Sequence, residues 1–286
     1  MRAARRLAQA ALVAEVWRRG RVVPAYWWDG HPNFGDDLTP WLLPAYGVVP
    51  VHRMPQQALL AGVGSVLEFL PHEFDGVIWG SGLMGDAPHP LPHARVLAVR
   101  GPLTRDRIGA AGTIAFGDPG LLVSRRMHRP TARWAVGFVP HGHHRSHPGF
   151  AVLAATTPGS RVVNVHESAR RAVREIAACR VIVTTSLHGL VTADAFGIPA
   201  VWTSLDPPLS GGDFKFRDYE SAVTPGRTRH VTWVDGVQPA ELTRLAWSAD
   251  ADRVAHLGDG LVRAIGRLED ELPGLRRFPL GALASR

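Results

Sequence analysis

The residue best equipped to move a proton is His188, set in Thr184-Thr185-Ser186-Leu187-His188-Gly189-Leu190 directly after the β-branched stretch 181–183. A histidine titrating near ~6.5 holds a proton to deliver yet loses it close to neutral pH, which suits general acid or base work. A lone histidine is more often a satisfied structural one. This one opens a helix-like run ending at Gly197-Ile198-Pro199, beyond the carboxyl end of a strand, where α/β sheets place their ligands. A carboxylate comes from Asn33-Phe34-Gly35-Asp36-Asp37, which follows Trp27-Trp28 and precedes Trp41-Leu42-Leu43. A glycine turn of this kind leaves free N–H groups at a helix start. Asp37, just ahead of Thr39-Pro40, reads as the helix cap, so Asp36 is the chemical candidate, with Asn33 and Gly35 beside it.

Positive charge is offered twice. In Val99-Arg100-Gly101-Pro102-Leu103-Thr104-Arg105 a strand ends on Arg100 and a helix begins at Pro102, a favoured first-turn residue. Arg100 before a helix N-terminus is a receptor for phosphate or carboxylate, each charge-assisted bond contributing about 1.5–3 kcal/mol. Lys215 and Arg217 alternate in Gly212-Asp213-Phe214-Lys215-Phe216-Arg217-Asp218-Tyr219 after a Gly/Pro-rich stretch. This reads as a mobile, positively charged loop or as a solvated charge run with Phe214 and Phe216 packed inward. Two small-residue turns, Gly62-Val63-Gly64-Ser65 and Gly80-Ser81-Gly82, admit close approach of a ligand at Ser81 and Gly82, and neither has the GxGxxG pattern. The Asp of Gly117-Asp118-Pro119-Gly120 reads as part of a tight turn. His141, His143, His144 and His147 lack an HExxH helix or neighbouring cysteines, so they read as loop or anion contacts, with no metal expected. His166 is a secondary candidate.

The elements that must carry these groups alternate between short apolar strands and helices, the pattern of an α/β protein with parallel sheets. Strands are expected over 21–28, 58–63, 76–79 and 95–100, then over 134–140, 161–165, 181–185 and 200–203, with helices over 167–180 and 188–196. The arginine-rich, strand-free stretch 124–133 reads as a linker. It separates two Rossmann-like domains, 1–130 and 131–286, that face a cleft, and a 3.6-residue apolar period over 238–272 predicts closing helices.

Composition bounds the function. The chain has 286 residues, 45% hydrophobic and 20% charged, enough apolar surface for a sizeable core. No apolar run reaches the ~18–20 residues of a membrane span. The net charge of +7 favours an anionic partner, but no nucleic-acid-binding signature is present, so nucleic acid is not expected. One cysteine, Cys179, excludes an internal disulfide and fits a cytoplasmic protein. The basic N-terminal segment fails as a signal peptide, because Gln9 and Glu15 interrupt its apolar part and arginines follow it. It reads as a first helix packed on the body, with peripheral contact at an anionic membrane surface as the alternative.

The ordered set Asn33-x-Gly35-Asp36, Gly62-x-Gly64-Ser65, Arg100-Gly101-Pro102-Leu103-Thr104, Gly117-Asp118-Pro119-Gly120-Leu121-Leu122, Ser186-Leu187-His188-Gly189 and Lys215-x-Arg217-Asp218-Tyr219 resembles the polysaccharide pyruvyl transferase family. That resemblance implies a GT-B-like pair of domains. It also implies transfer of a pyruvyl group from phosphoenolpyruvate to two hydroxyls of a sugar in a cell-surface glycan precursor, lipid-linked or nucleotide-linked, with no cofactor. By the same resemblance His188 is the acid and Asp36 orients or deprotonates the attacking hydroxyl. Arg100, Lys215, Arg217 and the turn at Ser81-Gly82 receive the donor's charge, and Asn33, Gly35, His141, Ser186 and Leu187 complete the substrate contacts. Ser186 departs from the family pattern, in which many members carry Arg: either Lys215, Arg217 or a basic residue near His141 compensates, or the donor differs. Two other readings stand beside this one, a GT-B-type glycosyltransferase using a nucleotide sugar and an inactive glycan-binding relative.

Overall fold

The computed structural model describes residues 2–233 and 238–280. The alternating pattern produces two sheets. The first contains β1 (Arg21–Tyr26), β2 (Val48–His52), β3 (Leu60–Ala61), β4 (Val77–Ser81), β5 (Arg95–Val99) and β6 (Ala115–Phe116), in the order β2-β1-β3-β4-β5-β6. The second contains β7 (Trp134–Val139), β8 (Ser160–Val162), β9 (Cys179–Thr184) and β10 (Ala200–Trp202), in the order β10-β9-β7-β8. Every pairing within the sheets is parallel. All five residues of β4 are buried, as expected for a parallel strand covered on both faces.

Both sheets are wound alike. The chain leaves β1 for the edge strand β2 and returns on the other side of β1 at β3; β7, β8 and β9 repeat the manoeuvre. Strand order therefore reverses between β1 and β3 and between β7 and β9, and at such points the following loops diverge and leave a crevice. The Asn33–Asp37 turn follows β1, and the Ser186–His188 turn follows β9. One core serves both sheets, since Val23 and Trp79 of the first sheet, Ile182 of the second and Leu190 of the helix that follows β9 sit in a single buried cluster.

Three features differ from the sequence reading. Strand β2 was hidden by Pro50, which is tolerated because β2 lies at the sheet edge. Residues 212–219 are no mobile loop: Phe214–Val223 is a helix burying Lys215, Phe216, Asp218, Tyr219 and Glu220. Its buried residues interleave Lys215, Asp218 and Glu220 with Phe214, Phe216, Tyr219, Ala222 and Val223, so no uninterrupted apolar stripe announces it. The C-terminal helix Ala251–Gly266 crosses back to the first sheet, where Trp79 Nε1 donates to the Leu261 carbonyl at 2.9 Å. The N-terminal segment forms two helices, Arg2–Ala11 and Ala14–Arg19, held on the body by Ala10 and Val16 against Val22 and Val49. No described helix is long and apolar enough to cross a membrane.

Candidate active site

His188 lies in the first turn of the helix Leu187–Ala195, which β9 feeds directly. The turn is fixed by Thr184, whose Oγ1 accepts from Ser186 N at 2.8 Å and donates toward the Val139 carbonyl of β7 at 2.7 Å. The imidazole is 7% exposed and meets the Phe34 ring edge-on. Its Nε2 faces Asp118 Oδ2 at 3.5 Å, while Asp118 Oδ1 accepts from Gly120 N at 2.8 Å. Neither Nε2 nor Oδ2 has a hydrogen-bond partner among the described residues. A buried carboxylate facing Nε2 at that distance orients the ring. The opposite nitrogen, Nδ1, lies over Gly35. A Cβ there would stand 2.0 Å from it, so only glycine lets the β1 turn close onto the ring.

That turn also places the carboxylate. Asn33 Nδ2 donates to Asp36 Oδ2 at 2.5 Å and Asn33 Oδ1 accepts from Gly35 N at 3.1 Å, so one side chain pins both ends of the turn. Gly64 adopts φ +113°, and a Cβ on it would meet Asp36 Oδ1 at 2.6 Å; the glycine provides the conformation and the space. Burial pushes the Asp36 carboxyl up to about 7, a rise that nearby His188 and Lys215 oppose and Asp37 reinforces. Asp37 does not cap the helix Leu38–Leu42; its carboxylate binds Arg6 at 2.8 Å instead.

Lys215 comes from the helix Phe214–Val223 and is also nearly buried. Burial and the repulsion of Arg100 lower its ammonium to about 8, against the pull of Asp36. It has no hydrogen-bond acceptor among the described residues. Arg100 is in the opposite condition: fully buried, it donates from Nε to Asp218 at 2.8 Å, from one terminal nitrogen to Ser65 Oγ at 2.6 Å, and from the other to the Leu83 carbonyl at 2.5 Å. Asp218 also takes Thr104 N at 2.8 Å and Thr104 Oγ1 at 2.6 Å. Arg100 thus stands behind the wall rather than at the opening, fixing the helix that carries Lys215.

A cleft of 280 Å³ joins the two halves of this arrangement. Of the residues singled out in the sequence, Asn33, Asp36, His141, Ser186, Leu187, His188 and Lys215 line it. Gly35 lies beneath the His188 ring. Ser81 turns away, its hydroxyl donating to the Gly64 carbonyl at 2.8 Å, and Gly82 is packed against the Arg100 guanidinium. Arg217 is half exposed and paired with Asp213 and Asp86 outside the cleft. His141 is held neutral, driven down to about 2 by burial and then by Lys215 and neighbouring histidines. Its Nδ1 accepts from His143 N at 3.2 Å, which leaves Nε2 as a donor. Asp118 is the partner that motif reading treated as turn structure alone. Its signal was its position after β6, the same strand-end placement that exposed the others.

Residues 67–207 match the family model for polysaccharide pyruvyl transferase. The chain carries a domain of that family. Among curated relatives of this polysaccharide pyruvyl transferase domain, the succinoglycan biosynthesis protein ExoV of Rhizobium meliloti is 31% identical over 68% of this chain and 63% of its own length. An uncharacterised protein of Acanthamoeba polyphaga mimivirus is 26% identical over 51% of this chain and 54% of its own. The matches thus span less than two thirds of either relative. A solved structure of a functionally uncharacterised Klebsiella pneumoniae protein superposes with a TM-score of 0.44 at 12% identity, covering 80% of this chain and 98% of that one. Asp118 and His188 fall inside the segment matching the pyruvyl transferase model; Asn33, Asp36 and Lys215 fall outside it and are joined to the site by geometry.

Proposed function

We propose that the protein is a ketal pyruvyltransferase that moves pyruvyl from phosphoenolpyruvate onto two hydroxyls of a sugar in an exopolysaccharide or related glycan precursor, at the cytoplasmic face of the membrane. The observation that carries the reading is the convergence of His188, Asp36 and Lys215 on one small cleft, with a buried carboxylate behind the imidazole. The family match and the succinoglycan role in the name of the Rhizobium relative support the same class of reaction and acceptor.

The chemistry suits these groups. Lys215, a cation without an acceptor, attracts the donor's phosphate or carboxylate, and His141 Nε2 adds a neutral donor. Protonated His188, oriented by Asp118, delivers a proton to the methylene carbon of the enol phosphate, which leaves a methyl group and an electron-poor central carbon. A sugar hydroxyl attacks that carbon while Asp36, balanced between its two forms near neutral pH, accepts the hydroxyl proton. Loss of phosphate and attack by the second hydroxyl close the ketal, the second hydroxyl's proton leaving with the phosphate or a base. Lys215 thus takes the part left by Ser186 where many relatives carry Arg.

We further read the two similarly wound sheets as the lobes of a GT-B-like pair, 1–130 and 131–286, with the helix Ala251–Gly266 as the strap that returns to the first lobe. Incubation with phosphoenolpyruvate labelled in its carbon skeleton, with glycan acceptors, tests the function. The expected result is acceptor-dependent phosphate release and an acid-labile label on the sugar. Turnover confined to nucleotide sugars would replace this reading with glycosyl transfer.

A further inference from the structure

The two N-terminal helices meet the C-terminal segment at a corner that pyruvyl transfer does not use. The chain turns at Leu12 between Arg2–Ala11 and Ala14–Arg19, and Phe278 packs edge-on against Trp17 with ring centres 5.1 Å apart. Phe278 N donates to the Gly20 carbonyl and the Arg277 guanidinium to the Arg18 carbonyl, each at 2.9 Å, so residues 276–278 run back along 18–22. The apolar stripe of the helices is spent on the body: Leu7, Ala10, Val13 and Val16 pack with Val22 and Val49. Neither helix therefore has an apolar face left to lie flat in a lipid surface.

The side chains that do point outward are of two kinds. Leu12, Trp17 and Leu280 are 87%, 57% and 73% exposed. The Trp17 indole donates to the Ala11 carbonyl at 2.7 Å, so the ring can enter apolar surroundings without losing a hydrogen bond. Around them Arg5, Arg18, Arg19, Arg276 and Arg277 stand exposed. Arg18 and Arg19 share one carboxylate, Glu15, whereas Arg5, Arg276 and Arg277 form no ion pair among the described residues. The other carboxylate paired at this corner, Glu269, is taken by Arg21 at 2.9 Å. Protruding apolar tips within a ring of unneutralised guanidinium groups suit a layer that is apolar inside and anionic at its surface, and tryptophan is favoured at that boundary. A protein partner of ordinary affinity needs about 800 Å² of fitted surface on each side, far more than three separate side chains supply.

We propose that this corner docks the protein on a bilayer bearing anionic phospholipids, with Leu12, Trp17 and Leu280 entering the headgroup layer and the five arginines holding lipid phosphates. The proposal goes beyond the pyruvyltransferase reading, which places the protein at a membrane without naming the surface that meets it. Leu12 and Val13 also line a cavity of 590 Å³ that shares Trp28, His31 and Asn33 with the cleft, so docking here turns that side of the cleft toward the lipid.

Sedimentation of the full chain with vesicles of phosphatidylglycerol and phosphatidylcholine in equal parts, against vesicles of phosphatidylcholine alone, tests the surface. The unaltered protein should bind the mixed vesicles, leave them as salt is raised, and bind the neutral ones far more weakly. Leu12→Glu should weaken binding roughly tenfold, and the double variant Arg18→Glu, Arg276→Glu at least as much, since each basic residue near an anionic leaflet is worth about fivefold. These side chains are exposed, so the replacements leave the core untouched. Val152→Glu, which alters a 61% exposed residue on the helix Pro148–Thr156 in the other sheet's half, should bind as the unaltered protein does. No binding to the mixed vesicles, equal binding to the neutral ones, or binding kept in the corner variants and lost in Val152→Glu would each overturn the proposal. So would a dimer in vesicle-free gel filtration that Leu12→Glu dissociates, which would assign the corner to a second copy of the chain. Binding is read without donor or sugar, so failure of docking and failure of pyruvyl transfer are separate results.

Discussion

The helix Phe214–Val223 holds buried charge in two conditions along a single length. In its middle, Asp218 is saturated by Arg100 and Thr104, Tyr219 donates to Asp194 at 2.7 Å, and Glu220 takes Arg229, Trp202 Nε1 and Thr228. Arg229, held above its ordinary value by Asp194, closes this network with both partners buried. One turn earlier Lys215 has no acceptor, and across the cleft Asp36 and the His188–Asp118 pair are desolvated with incomplete bonding. The saturated groups build the wall and give it a single geometry. The unsaturated ones are costly to the folded chain, and burial brings Asp36 up to about 7 and Lys215 down to about 8, so both can change protonation state near neutral pH.

The largest effect that would break this contrast is on turnover. His188→Ala should lower the rate by about 10²–10⁴ while the melting temperature stays close to that of the unaltered protein. Gly35→Ala offers a subtler version, because its Cβ displaces the imidazole without removing it, and a shift of about 1 Å can cost ~10² in rate. Steady-state phosphate release, with melting curves in parallel, checks both. Full activity in Gly35→Ala would mean that the ring's position over that turn is irrelevant to the chemistry.

Stability separates the two ends of the helix next. Arg229→Met leaves Asp194 and Glu220 buried without their counter-ion and should cost about 3–5 kcal/mol, a fall of roughly 10 °C in melting temperature. Lys215→Met removes a charge that has no partner, so its melting temperature should hold or rise while donor turnover is lost. Differential scanning calorimetry on the two variants makes the comparison. If Lys215→Met melts as early as Arg229→Met, the lysine belongs to the architecture and its role as an anion receptor fails.

The same contrast explains what the sequence could and could not reveal. Parallel strands buried on both faces read as continuous apolar runs, so β4, β5, β7 and β9 were legible, and the polar residues at their ends pointed to His188 and, after β1, to Asp36. Edge strand β2 was obscured by Pro50 at the centre of a run of only five residues. The helix carrying Lys215 was illegible because charged residues interrupt its buried face, and the partners of Asp218 and Glu220, Arg100 and Arg229, lie elsewhere in the chain, Arg100 118 residues away. Asp118 looked like turn chemistry because its imidazole partner lies in the other sheet's half of the molecule. Arg100 had the right type and place for an anion receptor, yet Asp218 had already claimed it. Residue type reveals capacity for charge; only the fold reveals which charges are already spent.

Asp36→Asn provides the finest test, since it keeps the shape of the protonated carboxyl and removes only the ionisation. In the unfolded chain Asp36 titrates near 3.8, whereas in the folded protein burial holds it to about 7. Between those values the folded state binds the extra proton, so stability declines as pH rises from about 4 to about 7 and is flat beyond. The amide does not titrate, and its advantage must grow over the same window. At pH 5 the variant should melt little above the unaltered protein; at pH 8 the gap should widen to several degrees, on the order of 1–4 kcal/mol, with turnover reduced at both. Melting curves across that range supply the sign directly. A gap that narrows with rising pH would show that Asp36 is stabilised as a carboxylate, placing it with Asp218 among the saturated groups and removing it as the base.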